Sequence, residues 1–203
     1  MTWASKISLV RLLLIPVFVL FAVWYGDSIT RGAEDIRYRF LALAVFAVAS
    51  LTDLLDGYVA RRFNQCSRLG RILDPAADKL LVLTALVTLS VTNWHAGLPL
   101  WFAVLVIVRD IVIVTGVIVI RSLTGRLLVQ PSITGKTCTF LQLCCVCWVL
   151  LDFWSVETRH PILDILIWSA GGFTVLSGWR YVVYGIRQAR SLDEQTSQLP
   201  DAQ

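Results

Sequence analysis

Four aspartates, Asp53, Asp56, Asp74 and Asp78, fall within the short run DLLDGYVARRFNQCSRLGRILDPAADK. Asp53 and Asp56 are three residues apart and Asp74 and Asp78 four apart, so on helices each pair shares a face. Two such helices joined by a short loop form an antiparallel pair, which lets the four carboxylates converge at one end. Carboxylates crowded in a low-dielectric site repel one another and take up protons unless a cation neutralises them. Hard oxygen ligands of this kind suit Mg²⁺ or Mn²⁺. Two ions held by shared carboxylates would neutralise a pyrophosphate and stabilise a departing phosphate. Gly57 and Gly70 remove side chains where a ligand or a second backbone needs close approach. Arg61 lies a little over one turn beyond Asp56 and can meet a phosphate or a carboxylate. The plainer reading is that acids near membrane-helix ends pair with neighbouring arginines, and Arg61, Arg62 and Arg71 are at hand. That reading accounts for any one of the four acids but poorly for all four at this spacing.

The elements that must position these residues are membrane helices. Of the 203 residues 57% are hydrophobic and only 16% charged, with a mean hydropathy of +0.71. A soluble domain carries about 25% charged residues. The segment LLLIPVFVLFAVWY does not alternate between polar and apolar residues, which excludes a β-barrel. The apolar runs predict six spans, at 7–25, 38–60, 74–93, 99–121, 134–153 and 162–186. The expected fold is therefore all-α, a polytopic membrane protein with about six transmembrane helices. One domain covers 1–190, and the polar end SLDEQTSQLPDAQ, 191–203, reads as a disordered tail. The first apolar stretch, with Lys6 and Arg11, has no small-residue cleavage site after it and reads as a retained helix.

Charge sets the expected orientation. The net charge is +4, and the basic residues sit at the ends of apolar runs, which suits anionic lipid head groups and excludes a nucleic-acid partner as the simplest reading. Arg61, Arg62, Arg68 and Arg71 crowd the second loop and Arg121, Arg126 and Lys136 mark the fourth, whereas the third loop has no Lys or Arg. By the positive-inside rule both termini and the even-numbered loops face the cytoplasm. Arg31, Arg37 and Arg39 in and beside the first loop run against that rule. Trp24, Trp94, Trp101 and Trp154, near predicted helix ends, are expected in an interfacial belt.

Read as a pattern, Asp53-x-x-Asp56-Gly57-x-x-Ala60-Arg61, eight residues, Gly70, three residues, Asp74, three residues, Asp78 resembles the signature of the CDP-alcohol phosphatidyltransferases without a gap. The six-helix layout extends the resemblance over nearly the whole chain. It implies that Asp53, Asp56 and Asp74 bind divalent metal and that Asp78 shares in the metal site. It further implies that Asp78 is the general base that takes the proton from an acceptor hydroxyl. Gly57, Ala60, Arg61 and Gly70 would line the pocket for the CDP-lipid. The hydroxyl then attacks the β-phosphorus of CDP-diacylglycerol and CMP leaves. The resemblance also implies a homodimer, and a bacterial inner membrane fits the cytoplasm-facing site that the charge rule predicts.

The first span, SKISLVRLLLIPVFV, resembles the opening helix of the phosphatidylglycerophosphate and cardiolipin synthase branches, although Ala4-Ser5 stands where members often carry Pro-Asn. Arg109 lies mid-span and is too central to snorkel easily, with Asp110 about 100° away around the helix. Lys136, in a Gly-Lys-x-x-Thr-x-x-Gln pattern, resembles the matching segment of phosphatidylglycerophosphate synthases. An Arg and a Lys converging on a phosphate suit glycerol 3-phosphate as acceptor. The alternative is a cardiolipin synthase that takes phosphatidylglycerol, and the segment Arg109-Asp110-Ile-Val-Ile-Val is closer to that branch.

An ion or proton transporter is the reading from a different class, since acids in membrane helices also carry ions. Such proteins usually show two related halves or broken mid-membrane helices, and neither is evident here. Cys138, Cys144, Cys145 and Cys147 share one apolar segment and are expected as small packing residues rather than a metal or redox site. His95 and His160 fall in predicted outside loops and are given no catalytic part.

Overall fold

The computed structural model describes residues 3–63, 70–124, 133–151 and 161–197, with side chains described for 10–52, 79–119, 122, 134–151 and 161–183. Six helices follow one another: α1 (Trp3–Thr30), α2 (Ile36–Phe63), α3 (Gly70–Val91), α4 (Leu100–Thr124), α5 (Ile133–Leu151) and α6 (Pro161–Ser197). The described residues contain no strand, so the all-α expectation holds. Among the described residues four stretches are long and apolar enough to cross a membrane: Val10–Thr30, Leu100–Val119, Thr134–Leu151 and Pro161–Val183. In α3 the described apolar stretch, Lys79–Val91, is shorter. α6 continues to Ser197, well into the segment expected as a tail, while 198–203 lie outside the described residues.

Each helix turns one apolar stripe inward. On α1 the stripe is Phe18, Ala22 and Tyr25, on α2 Ala42, Phe46 and Ala49, and on α3 Leu81, Ala85, Leu86 and Leu89, all buried. Steps of three, four and seven residues are those that recur on one face of an α-helix. The opposite faces carry Leu13, Val17, Phe40, Leu51, Ile111, Ile118, Ile165 and Trp168, all exposed, as hydrocarbon solvent permits. α1 packs chiefly on α2 and α3, and α6 on α4 and α5, so the bundle has two lobes that meet where α3 lies against α4 and α5 and α2 against α5.

One end of the bundle is closed by a dense cap. Gly32, with φ of 69°, ends α1 in the left-handed conformation, and its N–H reaches the carbonyl of Ile29 at 3.0 Å. Asp35 then opens α2, its Oδ1 accepting the N–H of Arg37 at 3.0 Å. The Tyr25 hydroxyl donates to Glu34 Oε1 at 2.7 Å, and the Tyr25 and Trp94 rings meet edge to face at 4.5 Å. Trp94 Nε1–H donates to the carbonyl of Ala22 at 3.2 Å. Trp94 is thus buried in the cap, whereas Trp24 and Trp101 are exposed; Trp154 lies outside the described residues.

Two of the arginines that run against the charge rule are tied down locally. Arg31 pairs with Asp27 at 2.6 Å. Arg39 donates from Nε to the carbonyl of Leu150 at 3.2 Å and from a terminal nitrogen to that of Leu151. Those are the last carbonyls of α5, where a cation offsets both the open acceptors and the negative end of the helix dipole.

Candidate active site

The helices that carry the acid motif are described, although the side chains at 53–78 lie outside the described residues. Asp53, Asp56, Gly57, Ala60 and Arg61 occupy the last turns of α2; Gly70 opens α3, and Asp74 and Asp78 follow in its first turns. Both acid pairs therefore sit within helices, as the sequence predicts, at the end of the bundle away from the cap.

Contacts elsewhere fix the depth of that motif. Phe18 of α1 meets Phe46 of α2 with ring centroids 5.6 Å apart. Gly26 of α1 approaches Thr92 beyond the end of α3, to which a Cβ would come within 3.1 Å. Arg39 of α2 holds the end of α5, and Lys79 of α3 meets Asp110 of α4 at 3.4 Å. Counting from these pairs at about 1.5 Å per residue, Arg11 on α1, position 53 on α2, positions 77 and 78 on α3, Asp110 on α4 and Lys136 on α5 lie at one level to within about a turn.

On the far side of that level α4, α5 and α6 enclose a polar seam. The buried face of α4 runs Phe102, Val106, Arg109, so Arg109 ends an inward stripe, 8% exposed. Arg109 NH2 donates to Ser177 Oγ of α6 at 2.9 Å and NH1 to Asp110 Oδ1 at 2.7 Å. The angular separation of Arg109 and Asp110 around α4 does not keep them apart, because the long guanidinium arm folds back along the helix. Arg109 Nε is buried with no hydrogen-bond partner among the described residues. One turn back on α6, Thr174 Oγ1 lies 3.1 Å from Cys138 Sγ of α5, which accepts from Gln142 Nε2 at 3.2 Å. Cys138 is thus a packing and weak hydrogen-bonding residue, and Cys145 is buried in the apolar core.

Lys136 lies two residues before Cys138 on the first turn of α5 and is exposed. The Cys138–Thr174 contact places it level with Ser177, the residue that holds Arg109, though two residues from Cys138 is about 200° around α5. His95 Nε2 lies 3.5 Å from Glu34 Oε2 in the closed cap, remote from the motif's level; His160 lies outside the described residues.

Arg11 stands in the sequence as an N-terminal charge and nothing more, yet it is fully buried. It precedes Phe18 by seven residues and Ala22 by eleven, on the same inward stripe. That spacing, in a run otherwise apolar from Leu9 to Trp24, is the signal that could have found it.

Comparison with known proteins assigns the family. The family model for CDP-alcohol phosphatidyltransferase matches residues 1–176. The chain belongs to the CDP-alcohol phosphatidyltransferase family. It is similar to the CDP-diacylglycerol--glycerol-3-phosphate 3-phosphatidyltransferase of Bacillus subtilis, 38% identical over 87% of this chain and 91% of that protein. It is 32% identical to the probable phosphatidylglycerophosphate synthase of Mycobacterium tuberculosis, over 96% of this chain and 86% of the relative. It is also 32% identical to the cardiolipin synthase (CMP-forming) of Streptomyces coelicolor, over 94% and 84%. A CDP-alcohol phosphatidyltransferase is a transferase of phospholipid biosynthesis, and the four long apolar helices and bacterial relatives fit a multi-pass bacterial membrane protein. Enzymes of this family are generally metal-dependent.

Proposed function

We propose that this CDP-alcohol phosphatidyltransferase transfers the phosphatidyl group of CDP-diacylglycerol to glycerol 3-phosphate, giving phosphatidylglycerophosphate and CMP. The observation that carries this reading is the shared level of the acid motif, Arg109 and Lys136, which allows one small phosphate-bearing acceptor to reach both. The names of the Bacillus and Mycobacterium relatives support the same acceptor.

Asp53, Asp56, Asp74 and Asp78 would hold two ions, Mg²⁺ or Mn²⁺, which when bound would neutralise the pyrophosphate and the departing CMP. Gly57 and Ala60 leave space for the cytidine, and Arg61 meets a phosphate, with Gly70 allowing close approach at the start of α3. Arg109 and Lys136 bind the acceptor phosphate and so hold its free hydroxyl in place. Asp78 takes the hydroxyl proton. The oxygen then forms a bond to the β-phosphorus, and the bond from that phosphorus to the CMP oxygen breaks. All six helices cross a bacterial inner membrane, within one domain over 1–190, and the motif opens to the cytoplasm. The enzyme works as a homodimer.

Product analysis tests the acceptor. Purified protein is given CDP-diacylglycerol and Mg²⁺ with glycerol 3-phosphate or with phosphatidylglycerol in separate reactions. Phosphatidylglycerophosphate and CMP from the first alone are expected. Cardiolipin from the second alone would overturn the acceptor and leave the family chemistry in place.

A further inference from the structure

Asp110 and Ser177 have no part in the motif, yet both hold Arg109. Asp110 Oδ1 accepts from Arg109 NH1 at 2.7 Å and from Lys79 Nζ at 3.4 Å, so one carboxylate gathers two cations from two helices. The three side chains grade from buried to open: Arg109 is 8% exposed, Asp110 21% and Lys79 48%. Ser177, fully buried on α6, takes NH2 of the same guanidinium at 2.9 Å. Two of the three guanidinium nitrogens are thus anchored, and the third, Nε, is buried without an acceptor among the described residues. A buried donor of this kind calls for an explanation, and a capacity to bind an anion is one. The group carries one net positive charge, two cations against one carboxylate, which suits a phosphate rather than a neutral alcohol. Lys79 directly follows Asp78, so the cluster also ties α4 to the helix that bears the second acid pair.

We infer that Asp110 is a positioning residue. It sets the guanidinium of Arg109 against Ser177 and, through Lys79, fixes its distance from the acid-bearing turn of α3. This rests on the reading of Arg109 as a ligand of the acceptor phosphate. A helix-to-helix staple with no part in binding would have the same contacts but would not distinguish the two substrates. Positioning predicts an effect on the acceptor alone, because the CDP-lipid is held by other residues.

The test is steady-state kinetics on purified Asp110→Asn, Asp110→Glu, Ser177→Ala and Arg109→Gln, with glycerol 3-phosphate and CDP-diacylglycerol varied in turn and the unfolding temperature recorded for each. Asp110→Asn is expected to raise KM for glycerol 3-phosphate about tenfold, the loss of one charge-assisted hydrogen bond, with KM for CDP-diacylglycerol unchanged. Asp110→Glu should recover part of that loss, and Ser177→Ala should move the same constant by a smaller factor, about threefold. If Asp110→Asn lowers only the unfolding temperature, or shifts both KM values alike, Asp110 is a staple and the inference falls. If Asp110→Asn does not fold, Ser177→Ala and Asp110→Glu decide by the same criterion. Arg109→Gln separates the two levels: an unchanged KM for glycerol 3-phosphate there would remove Arg109 from the acceptor site altogether. A raised value with an unaffected Asp110→Asn would overturn only the positioning role.

Discussion

Asp78 is the residue on which the proposed chemistry depends most directly. Asp78→Asn should abolish CMP release, to below about a thousandth of the parent rate, while CDP-lipid binding persists, since an amide keeps the shape but cannot take the proton. Retained turnover, followed as CMP formation, would remove Asp78 from the base role. Arg11 makes a different demand. Taking away a fully buried guanidinium leaves the surroundings that compensated it uncompensated, so Arg11→Met should lower stability by about 3–5 kcal/mol, read from unfolding in detergent, with Arg11→Lys losing less. The motif acids were legible because their types and spacing are improbable without a site. Arg11 was not, because a lone basic residue near an N-terminus also reads as an orientation signal. Arg109 was legible as a mid-span cation, but its bond to Asp110 depends on a rotamer, which one-dimensional spacing does not carry.

The helices themselves were legible in number and order, because each apolar run is bounded by charged or turn residues. Their ends were less so. Caps such as Gly32 and Asp35, and the role of Arg39 at the end of α5, depend on which elements meet. Gly32→Ala would force a Cβ into a left-handed backbone and should cost about 1 kcal/mol, measurable as a lowered unfolding temperature. The cap also carries a pH dependence. The Tyr25 hydroxyl, ahead of His95 and Arg39, holds the Glu34 carboxyl below the ordinary glutamate value. A carboxyl depressed in the fold adds stability above its unfolded pKa, and that stability is lost as pH falls through the folded value. Glu34→Gln should therefore flatten the acid limb of the unfolding-temperature profile below about pH 4.5 while leaving the shape of the neutral region little changed. An unaltered acid limb would show that the Tyr25–Glu34 bond does not hold the cap.

At the scale of the whole molecule, the two lobes matter because neither holds the complete site. α2 and α3, backed by α1, carry the acid motif, and α4 and α5, backed by α6, carry the cations proposed for the acceptor. Chelation with EDTA should abolish CMP release, and Mg²⁺ or Mn²⁺ should restore it; activity that survives thorough chelation would overturn the metal reading. Sequence spacing could place residues along each helix but not bring one helix level with another, since that register comes from packed pairs such as Phe18–Phe46 and Cys138–Thr174. The closed cap has a further consequence. Between Arg11 and the cap, Phe18, Phe46, Leu86, Leu89, Tyr25 and Trp94 fill the interior, none of them more than 7% exposed. Among the described residues, apolar and aromatic side chains therefore fill the interior on the cap side. A packed apolar interior of that kind is an electrical insulator, which suits a bundle lying in a bilayer that separates ions.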